Sequence, residues 1–579
     1  MLVWVIPLTF STIGWFTYDP VSLPQVSIFV ALIFATLLSL GQSVFPKNIV
    51  TGIALLMPAA YLVSALLNKQ SVPGFILGGY QRNFGFALYV GLSLLFLFLA
   101  SGIFAPKKFI QISLTSTTAI AIIYGMLQAL NLDFFPWSNP FNSVTLTLGN
   151  PNFTGAFFGI MSSCLLYWIT KPTKPHIKTL GLLALCVLIF LGVKTNSIQF
   201  YLVLFVTCLT FYALNLNKNR KLIGISVGAV FTVAMLLIAI VTPLRTILIR
   251  ETNFNQRLDY WRNGFEMWQD NPFFGVGIGN FQKFSALYRT PSQELRDGIF
   301  LIPDSPHNVF INHLANGGIL AGIAWLIFVV YVTRAVFKLN SITVDAEKRI
   351  QLSFFSAIWI GYTLQSFISP DQIVLTIIGY SSAGFIVYLK LQSQNLINAN
   401  TPQKPSRLFA QRSMGVIGLV VSIIIFGNQL NADRQVKLVL QEKITEPDRI
   451  ISVIEKLQSP NPIERVGIKL FENDVNCDLI VKVSDRMLEL DERSARAWYF
   501  KTICYNVAND TNKAQGAINK SLEYDPINLV YLFEKAKIQT VIGDIDAALE
   551  SIAKVKEIDT NYPELEQLEI YVKTLKQGG

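Results

Sequence analysis

Residues 257–318 form a polar segment inside an otherwise apolar chain, and several of their side chains could do chemistry. The candidates are four arginines, one histidine and one asparagine: Arg257, Arg262, Arg289, Arg296, His307 and Asn308. Arginine presents a planar fork of N–H donors that fits phosphate oxygens, and it never loses its charge. Histidine can take a proton from a hydroxyl near neutral pH. Together these residue types predict a site that binds a diphosphate leaving group and activates an alcohol acceptor.

Each of these side chains also has a purely structural alternative. An arginine near a helix end often only reaches lipid headgroups, and this alternative applies to Arg262, Arg289 and Arg296. His307 could simply cap the helix that follows it. Arg257 is the arginine that its surroundings favour most as a functional residue.

Other patterns in this segment do not indicate a nucleotide, a metal or a hydrolase. The run Gly275-Val276-Gly277-Ile278-Gly279 follows no buried strand and lacks a P-loop lysine–serine pair, so its glycines predict a tight backbone path. His307 and His313 are six residues apart, which turns a helix through about 240° and points the two rings apart. Asp304, Ser305 and His307 lie too close in sequence to converge as a hydrolytic triad. We therefore expect no metal and no other cofactor.

The charge distribution divides the chain of 579 residues into two parts. Residues 1–431 contain about 9% charged residues and residues 432–579 about 30%, the latter being ordinary for a soluble domain. The net charge of +10 splits into about +15 and about −5 on these two parts. A basic balance of this kind is typical of loops that orient membrane helices, so nucleic-acid binding is excluded.

Apolar runs that could span a bilayer recur about thirteen times before residue 432. They lie near 1–18, 25–45, 49–67, 84–104, 109–130, 152–169, 180–195, 197–216, 222–242, 309–333, 351–368, 371–390 and 414–431. We predict an all-α chain with a polytopic membrane bundle in residues 1–431 and a soluble α-helical domain in residues 432–579. The stretch 243–308, which we call the large loop, joins two of the predicted spans.

The basic residues of the short loops predict the orientation of the bundle. Loops 131–151 and 369–372 contain no lysine or arginine, and they alternate with basic loops such as those around Lys107-Lys108 and Lys338. Basic loops stay in the cytoplasm, so we expect the N-terminus inside, and the large loop and the C-terminal domain outside the cytoplasmic membrane.

The C-terminal domain carries an internal repeat. Leu488-Glu489-Leu490-Asp491, Leu522-Glu523-Tyr524-Asp525 and Lys556-Glu557-Ile558-Asp559 match at a spacing of 34 residues. This period is typical of tetratricopeptide-like helix pairs, here over roughly residues 480–575, which usually offer a groove to a protein or peptide. The alternative is a spacer or a stabilising cap. Cys477 and Cys504 could pair, although their spacing alone gives no disulfide pattern.

A family resemblance rests on the large loop. Arg257-x-x-Tyr260-Trp261, Trp268, Asn271-Pro272 and the run from Gly275 to Phe281 resemble the signature of the O-antigen ligase and polymerase family. In that family the loop ends in His-Asn before a helix with paired glycines, as His307-Asn308 and Gly317-Gly318 do here. A weaker match is Gly149-Asn150-Pro151-Asn152. The resemblance covers most of residues 100–390 and is specific between Arg257 and Gly322.

The resemblance implies a glycosyltransferase-C-like fold and a metal-independent glycan transfer. The donor would be an undecaprenyl-diphosphate-linked glycan, and the unknown hydroxyl or amine acceptor would lie on the outer face of the inner membrane. Carried over by position, Arg257 would bind the diphosphate, His307 would act as base or orient the acceptor, and Asn308 would position it. Further substrate-binding candidates are Arg262, Arg289, Lys194, Asn150 and Asn152.

One motif departs from the family pattern. Ligases of this family typically carry a Ser-Arg-Gly-like motif upstream of the large loop, whereas this chain has Lys194-Thr195-Asn196-Ser197-Ile198-Gln199. Ile198 stands where the arginine is expected. One phosphate contact is therefore missing or comes from elsewhere, and Lys194 is the obvious candidate.

Three activities fit this resemblance: ligation to a lipid or other surface acceptor, polymerisation of glycan repeats, and O-glycosylation of proteins. The C-terminal domain favours a protein partner, as a substrate or as an assembly component. A function of another class stays open, namely a transporter or an envelope-assembly scaffold that works through the C-terminal domain. A transporter should carry ionisable residues in mid-helix, whereas here they collect at one membrane face, so we favour the enzyme.

We expect Arg257→Ala and His307→Ala to abolish glycan transfer while leaving the protein inserted and abundant, because both side chains are assigned to chemistry and not to folding. Surface glycan and membrane-inserted protein are measured in the same cells. Normal surface glycan in either variant would contradict the assignment.

Overall fold

The fold comes from a computed structural model, which describes residues 16–40, 49–102, 107–133, 135, 143–215, 254–343, 345–396, 405–473 and 476–578. Within these ranges the chain is helical and contains no strand, which confirms the all-α prediction. The predicted spans near 1–18 and 222–242 lie outside the described residues, apart from the last three residues of the first.

Within the described ranges eight helices precede the large loop, four membrane-part helices follow it, and eight more form the C-terminal domain. The first eight are α1 (Ser22–Ser39), α2 (Ile49–Leu67), α3 (Val72–Leu77), α4 (Phe86–Ala100), α5 (Lys107–Ala129), α6 (Pro151–Thr170), α7 (Pro175–Lys194) and α8 (Ile198–Asn215). The large loop contains α9 (Phe254–Asp270), α10 (Phe281–Ser285) and α11 (Pro291–Asp297). The membrane part continues with α12 (Val309–Ile342), α13 (Ala346–Ile368), α14 (Ile373–Ser393) and α15 (Pro405–Leu440). The C-terminal helices are α16 (Pro447–Lys456), α17 (Pro460–Asn473), α18 (Cys477–Leu490), α19 (Ala495–Val507), α20 (Thr511–Tyr524), α21 (Leu529–Ile542), α22 (Ile545–Ile558) and α23 (Leu565–Gly578).

Nine helices of the described part are long and apolar enough to cross a membrane, so the protein is a multi-pass membrane protein. They are α1, α2, α5, α6, α7, α8, α12, α14 and α15. Helices α6 and α14 are apolar all round and are buried along most of their length, so they form the interior of the bundle. Helices α7 and α15 leave most of their apolar surface on the outside, where lipid would cover it.

Two cores meet near the predicted domain boundary. The core of the membrane part runs from Leu23 to Phe426, and the next core begins at Ala432. Helix α15 crosses this point without a break and carries the chain directly into the C-terminal domain.

The C-terminal domain is a series of short helices in which, from α17 onward, each packs on the next, while α16 packs on α15 and α18. Helices α18, α20 and α22 begin at Cys477, Thr511 and Ile545, the 34-residue spacing of the sequence repeat. The tetratricopeptide-like assignment itself stays a prediction. Cys477 and Cys504 form a disulfide between α18 and α19, with 5.2 Å between their Cα atoms.

The glycine-rich run of the large loop packs into a kink of α12. The backbone N–H of Val276 donates to the carbonyl of Ala315 (2.9 Å), and Ile319 N–H donates to the carbonyl of Pro272 (2.8 Å). Gly318 has φ 65° and ψ −164°, and a Cβ there would lie 2.2 Å from the carbonyl oxygen of Phe273. The kink therefore needs glycine both for its backbone angles and for the approach of the large loop.

We expect Gly318→Ala to destabilise the folded protein by about 1–3 kcal/mol or more, because alanine is strained at this φ and its Cβ meets backbone. The matched control is Gly516→Ala in α20, where a Cβ meets nothing within 4 Å. Thermal unfolding of the full-length protein in detergent measures both variants. An unchanged midpoint for Gly318→Ala would contradict the described kink.

Candidate functional site

A short loop between α3 and α4 brings Arg82 against the end of the large loop. The Arg82 guanidinium donates from Nε to Asp304 Oδ2 (2.8 Å) and from Nη2 to Asp304 Oδ1 (3.0 Å). It also lies over the Phe153 ring, 5.6 Å from the centroid. Burial alone would raise the pKa of Asp304, but Arg82 outweighs this effect and lowers the pKa below its usual range. Asp304 is therefore ionised at physiological pH.

Two neighbouring cavities meet at this ion pair, one of about 40 Å³ and one of about 320 Å³. Arg82, Asp304 and Asp371 line both cavities. Residues that line one cavity include Tyr80, Gln282 and Asn308 in the smaller, and Asn150 and Phe153 in the larger. Two spaces thus share one guanidinium and two carboxyl groups, an arrangement suited to a reaction between two bound molecules.

Asp371 lies in the turn between α13 and α14 and is buried. Thr376 Oγ1 donates a hydrogen bond to Asp371 Oδ1 (3.3 Å). Burial raises the pKa of Asp371 to about 7, while the Thr376 hydrogen bond and the charge of Arg82 act in the opposite direction. The carboxyl group can therefore accept or donate a proton near neutral pH.

The structure places His307 beside the ion pair. Burial lowers the pKa of His307 to about 4, the charge of Asp304 opposes this shift, and the charges of Arg82 and Arg257 add to it. The imidazole also packs edge-on against the Tyr260 ring, with 5.2 Å between the centroids. His307 is therefore neutral at pH 7 and keeps a lone pair that can accept a proton or a hydrogen bond.

Arg257 and Asn308 bind neighbouring carbonyl groups at the end of α13. Arg257 Nη1 donates to the carbonyl of Ile368 (2.6 Å), and Asn308 Nδ2 donates to the carbonyl of Phe367 (2.9 Å). Among the described residues no carboxylate pairs with Arg257, whose pKa burial lowers. Asn308, and not His307, caps α12, because its Oδ1 accepts the backbone N–H of Ile311 (3.1 Å).

Two of the predicted substrate-binding arginines contact other parts of the protein. Arg262 donates to Gln293 Oε1 (3.1 Å) and lies 3.6 Å from a carboxylate oxygen of Glu266, so it joins α9 to α11. Arg289 is buried between Glu294 (2.6 Å) and Asp525 of the C-terminal domain (2.8 Å). Arg289 pairs with two carboxylates and lines neither cavity, so it is not part of the site.

Of the remaining predicted residues, Asn150 lines the larger cavity, whereas Asn152 and Lys194 line neither cavity. Asn150 also caps α6, where its Oδ1 accepts the backbone N–H of Asn152 (2.8 Å). Asn152 Oδ1 accepts a hydrogen bond from the Ser197 hydroxyl (2.7 Å). This bond joins α6 to residues 194–199, the segment that differs from the Ser-Arg-Gly-like motif of the family. The Lys194 ammonium lies 5.7 Å from the centroid of the Phe190 ring and lines neither cavity. The cation between the two cavities is Arg82 and not Lys194.

Sequence analysis missed Arg82 and Asp371. Arg82 follows a pair of glycines in a short loop, and Asp371 lies in a turn of only a few residues between two apolar helices. A charged residue in so short a connection between membrane helices is costly, and this alone could have indicated a functional role for both residues. Asp304 was noted in the sequence only as part of a rejected triad. Its actual partner, Arg82, is 222 residues away in the chain.

One segment of the chain matches a known protein family. Residues 179–326, about a quarter of the chain, match the family model described as O-antigen ligase. Over this segment the chain is similar to the O-antigen ligase family. The ligase segment contains Arg257, His307 and Asn308, and its last helix is α12, whereas Arg82 and Asp371 lie outside it. No curated protein matches the sequence.

Because the folded protein keeps His307 neutral down to about pH 4, whereas an unfolded chain protonates histidine near pH 6.5, unfolding takes up a proton between these values. Stability that depends on this group is fully present above about pH 6.5 and is lost as the pH falls toward 4. We expect His307→Gln to flatten the fall in thermal stability over this window. The exposed His176→Gln is the control, and an equal slope for His307→Gln and wild type would contradict the described burial.

Proposed function

We propose that this protein transfers a glycan from an undecaprenyl-diphosphate-linked donor to a hydroxyl or amine acceptor on the outer face of the cytoplasmic membrane. The observation that carries the proposal is the position of Arg82 and Asp371, which line both of two adjoining cavities beside the O-antigen ligase segment. A transfer reaction needs two binding spaces, a cation for the leaving group and a proton acceptor, and this cluster provides all of them.

Two arginines would bind the diphosphate. Arg82 lies between the cavities and keeps Nη1 outside its two hydrogen bonds to Asp304, while the charge of Arg257 reaches the same histidine and its side chain donates to a neutral carbonyl. Arg257 lines neither cavity, so it would act on the diphosphate from behind the cavity wall. The two positive charges would stabilise the negative charge that develops as the diphosphate leaves. Arg82 would then supply the contact that the family motif loses at Ile198.

The proposed step balances one bond formed against one broken. The acceptor oxygen or nitrogen attacks the anomeric carbon of the donor, and the bond from this carbon to the diphosphate oxygen breaks. The proton of the acceptor passes to Asp371, which lines both cavities and is partly ionised at neutral pH. His307, neutral beside Asp304 and Arg257, would orient the acceptor by a hydrogen bond.

Two observations support the outer face as the place of the reaction. The disulfide between Cys477 and Cys504 is typical of proteins in an oxidising compartment. The C-terminal domain that contains it binds the large loop directly through Arg289 and Asp525, so the loop and the domain lie on one side of the membrane. A donor that already carries a diphosphate leaving group needs no ATP, which suits this location.

Reconstitution of the full-length protein in liposomes with an undecaprenyl-diphosphate-linked glycan tests the proposal. A glycolipid, a glycan and a protein are offered as acceptors, and the product that carries new glycan distinguishes ligation, polymerisation and protein O-glycosylation. Absence of any transfer by the wild-type protein to all three would contradict the proposed function.

In the same assay we expect Arg82→Lys to lower kcat/KM about 10–100-fold, because lysine cannot make the forked contact to phosphate. We expect Asp371→Asn to lower kcat about 10²–10⁴-fold, because the proton acceptor is lost. Arg296→Lys is the matched control, since Arg296 is a partly exposed arginine of the large loop that pairs with Asp259. Equal activity of Asp371→Asn and wild type would remove Asp371 from the mechanism.

A further inference from the structure

Residues 281–300 of the large loop, which we call the bridging segment, lie between the membrane part and the C-terminal domain. On one side Phe281 packs in a small core with Ala315 of α12. On the other side Ile299 packs against the core of the last C-terminal helices. The bridging segment therefore connects the cavity to a domain that the O-antigen ligase match does not include.

The C-terminal domain contacts three consecutive residues of α10 in this segment. Asn461 of α17 donates from Nδ2 to Gln282 Oε1 (2.7 Å). The next two contacts join Lys283 to Asp491 (3.9 Å) and place the Arg493 guanidinium over the Phe284 ring. Gln282 itself lines the smaller cavity, so Asn461 reaches the cavity wall through one hydrogen bond.

A second residue of this wall is bound in the same way. The hydroxyl of Tyr80, which also lines the smaller cavity, donates a hydrogen bond to Asp433 near the end of α15. The other carboxylate oxygen of Asp433 accepts the backbone N–H of Asp19 (2.7 Å). Asp433 belongs to the stretch of α15 that packs into the C-terminal core, since Ala432 is a member of that core.

The far end of the bridging segment is anchored by buried charges. Arg289 lies between Glu294 and Asp525, and all three residues are buried. Asn528 Nδ2 donates to the carbonyl of Ile299 (3.2 Å), and the backbone N–H of Leu529 donates to Glu294 (3.2 Å). Buried charges tolerate few alternative arrangements, because separating them leaves an uncompensated charge away from water. This anchor therefore fixes one position of the C-terminal domain on the large loop.

We propose that the C-terminal domain holds one wall of the glycan site in place from behind, with Asn461 as a positioning residue that orients Gln282 toward the substrate in the smaller cavity. This inference rests on the proposed function for the identity of the substrate. Under this proposal the C-terminal domain contributes to substrate affinity. A domain that served only as a spacer or as a binding site for a protein partner would not affect substrate affinity.

Steady-state kinetics of the reconstituted full-length protein tests the role of Asn461. We expect Asn461→Leu to raise KM for one of the two substrates about fivefold, the effect of one lost hydrogen bond, while kcat changes less. Asn461→Gln should restore much of the affinity, because its amide can still donate to Gln282 Oε1 and leave the Gln282 NH₂ group facing the cavity. The matched control is Asn506→Leu, which removes a hydrogen bond of similar length to Glu534 (2.9 Å) inside the C-terminal domain.

The substrate whose KM rises is the occupant of the smaller cavity. Unchanged KM values for both substrates, or an equal rise in Asn506→Leu, would overturn the inference. So would an equal rise in KM in Asn461→Leu and Asn461→Gln.

Hydrogen–deuterium exchange separates this inference from the proposed function, because it needs no glycan transfer. The backbone amides of residues 278–285 should exchange faster in Asn461→Leu than in wild type and in Asn506→Leu, since the hydrogen bond that orders this wall is lost. Equal exchange in the three proteins would overturn the positioning role, even in a preparation that transfers no glycan.

Discussion

The ion pair of Arg82 with Asp304 is the interaction around which the site is organised. A guanidinium beside apolar helices is costly unless a carboxylate or phosphate pairs with it. The pair satisfies this requirement and at the same time joins the loop between α3 and α4 to the end of the large loop. The two cavities meet at this ion pair. Arg82 and Asp304 therefore neutralise each other and also mark the point at which a donor and an acceptor could come into contact.

The same constraint explains the surroundings of the pair. Arg257 lies beside a carbonyl at the end of α13, Asp371 is buried with the hydroxyl groups of Thr376 and Tyr362 as partners, and His307 is neutral. Each group is thus incompletely compensated by the protein. Incomplete compensation is expected where a charged or polar substrate completes the set of interactions, and it separates these residues from Arg289, whose charge is fully paired.

The C-terminal domain is continuous with the membrane part in a physical sense, because α15 runs through both cores. It also returns to the large loop through Arg289 and through Asn461. A loop bound from two sides has few alternative positions. This arrangement gives a site on a loop the rigidity that helices usually provide.

Most membrane helices could be predicted from the sequence, since an apolar run of bilayer length has few other stable structures in lipid. The positions of Arg257, His307 and Asn308 near one another also followed from a motif whose members lie within about fifty residues. The position of Arg289 could not be predicted from a local motif. Its side chain resembles the other arginines of the loop in sequence, and its partner Asp525 lies 236 residues away.

The sequence by itself determined the all-α fold class, the membrane helices and the resemblance of the large loop to the O-antigen ligase family, and it predicted a separate C-terminal domain, because hydropathy, charge and local spacing carry this information. Only the tertiary structure decided which charged residue pairs with which. Arg82 meets Asp304, Arg289 meets Asp525, and Asp371 comes to lie between two cavities. The physical reason is that the pairing of charges depends on burial and on contacts between distant segments, and neither is visible in local sequence.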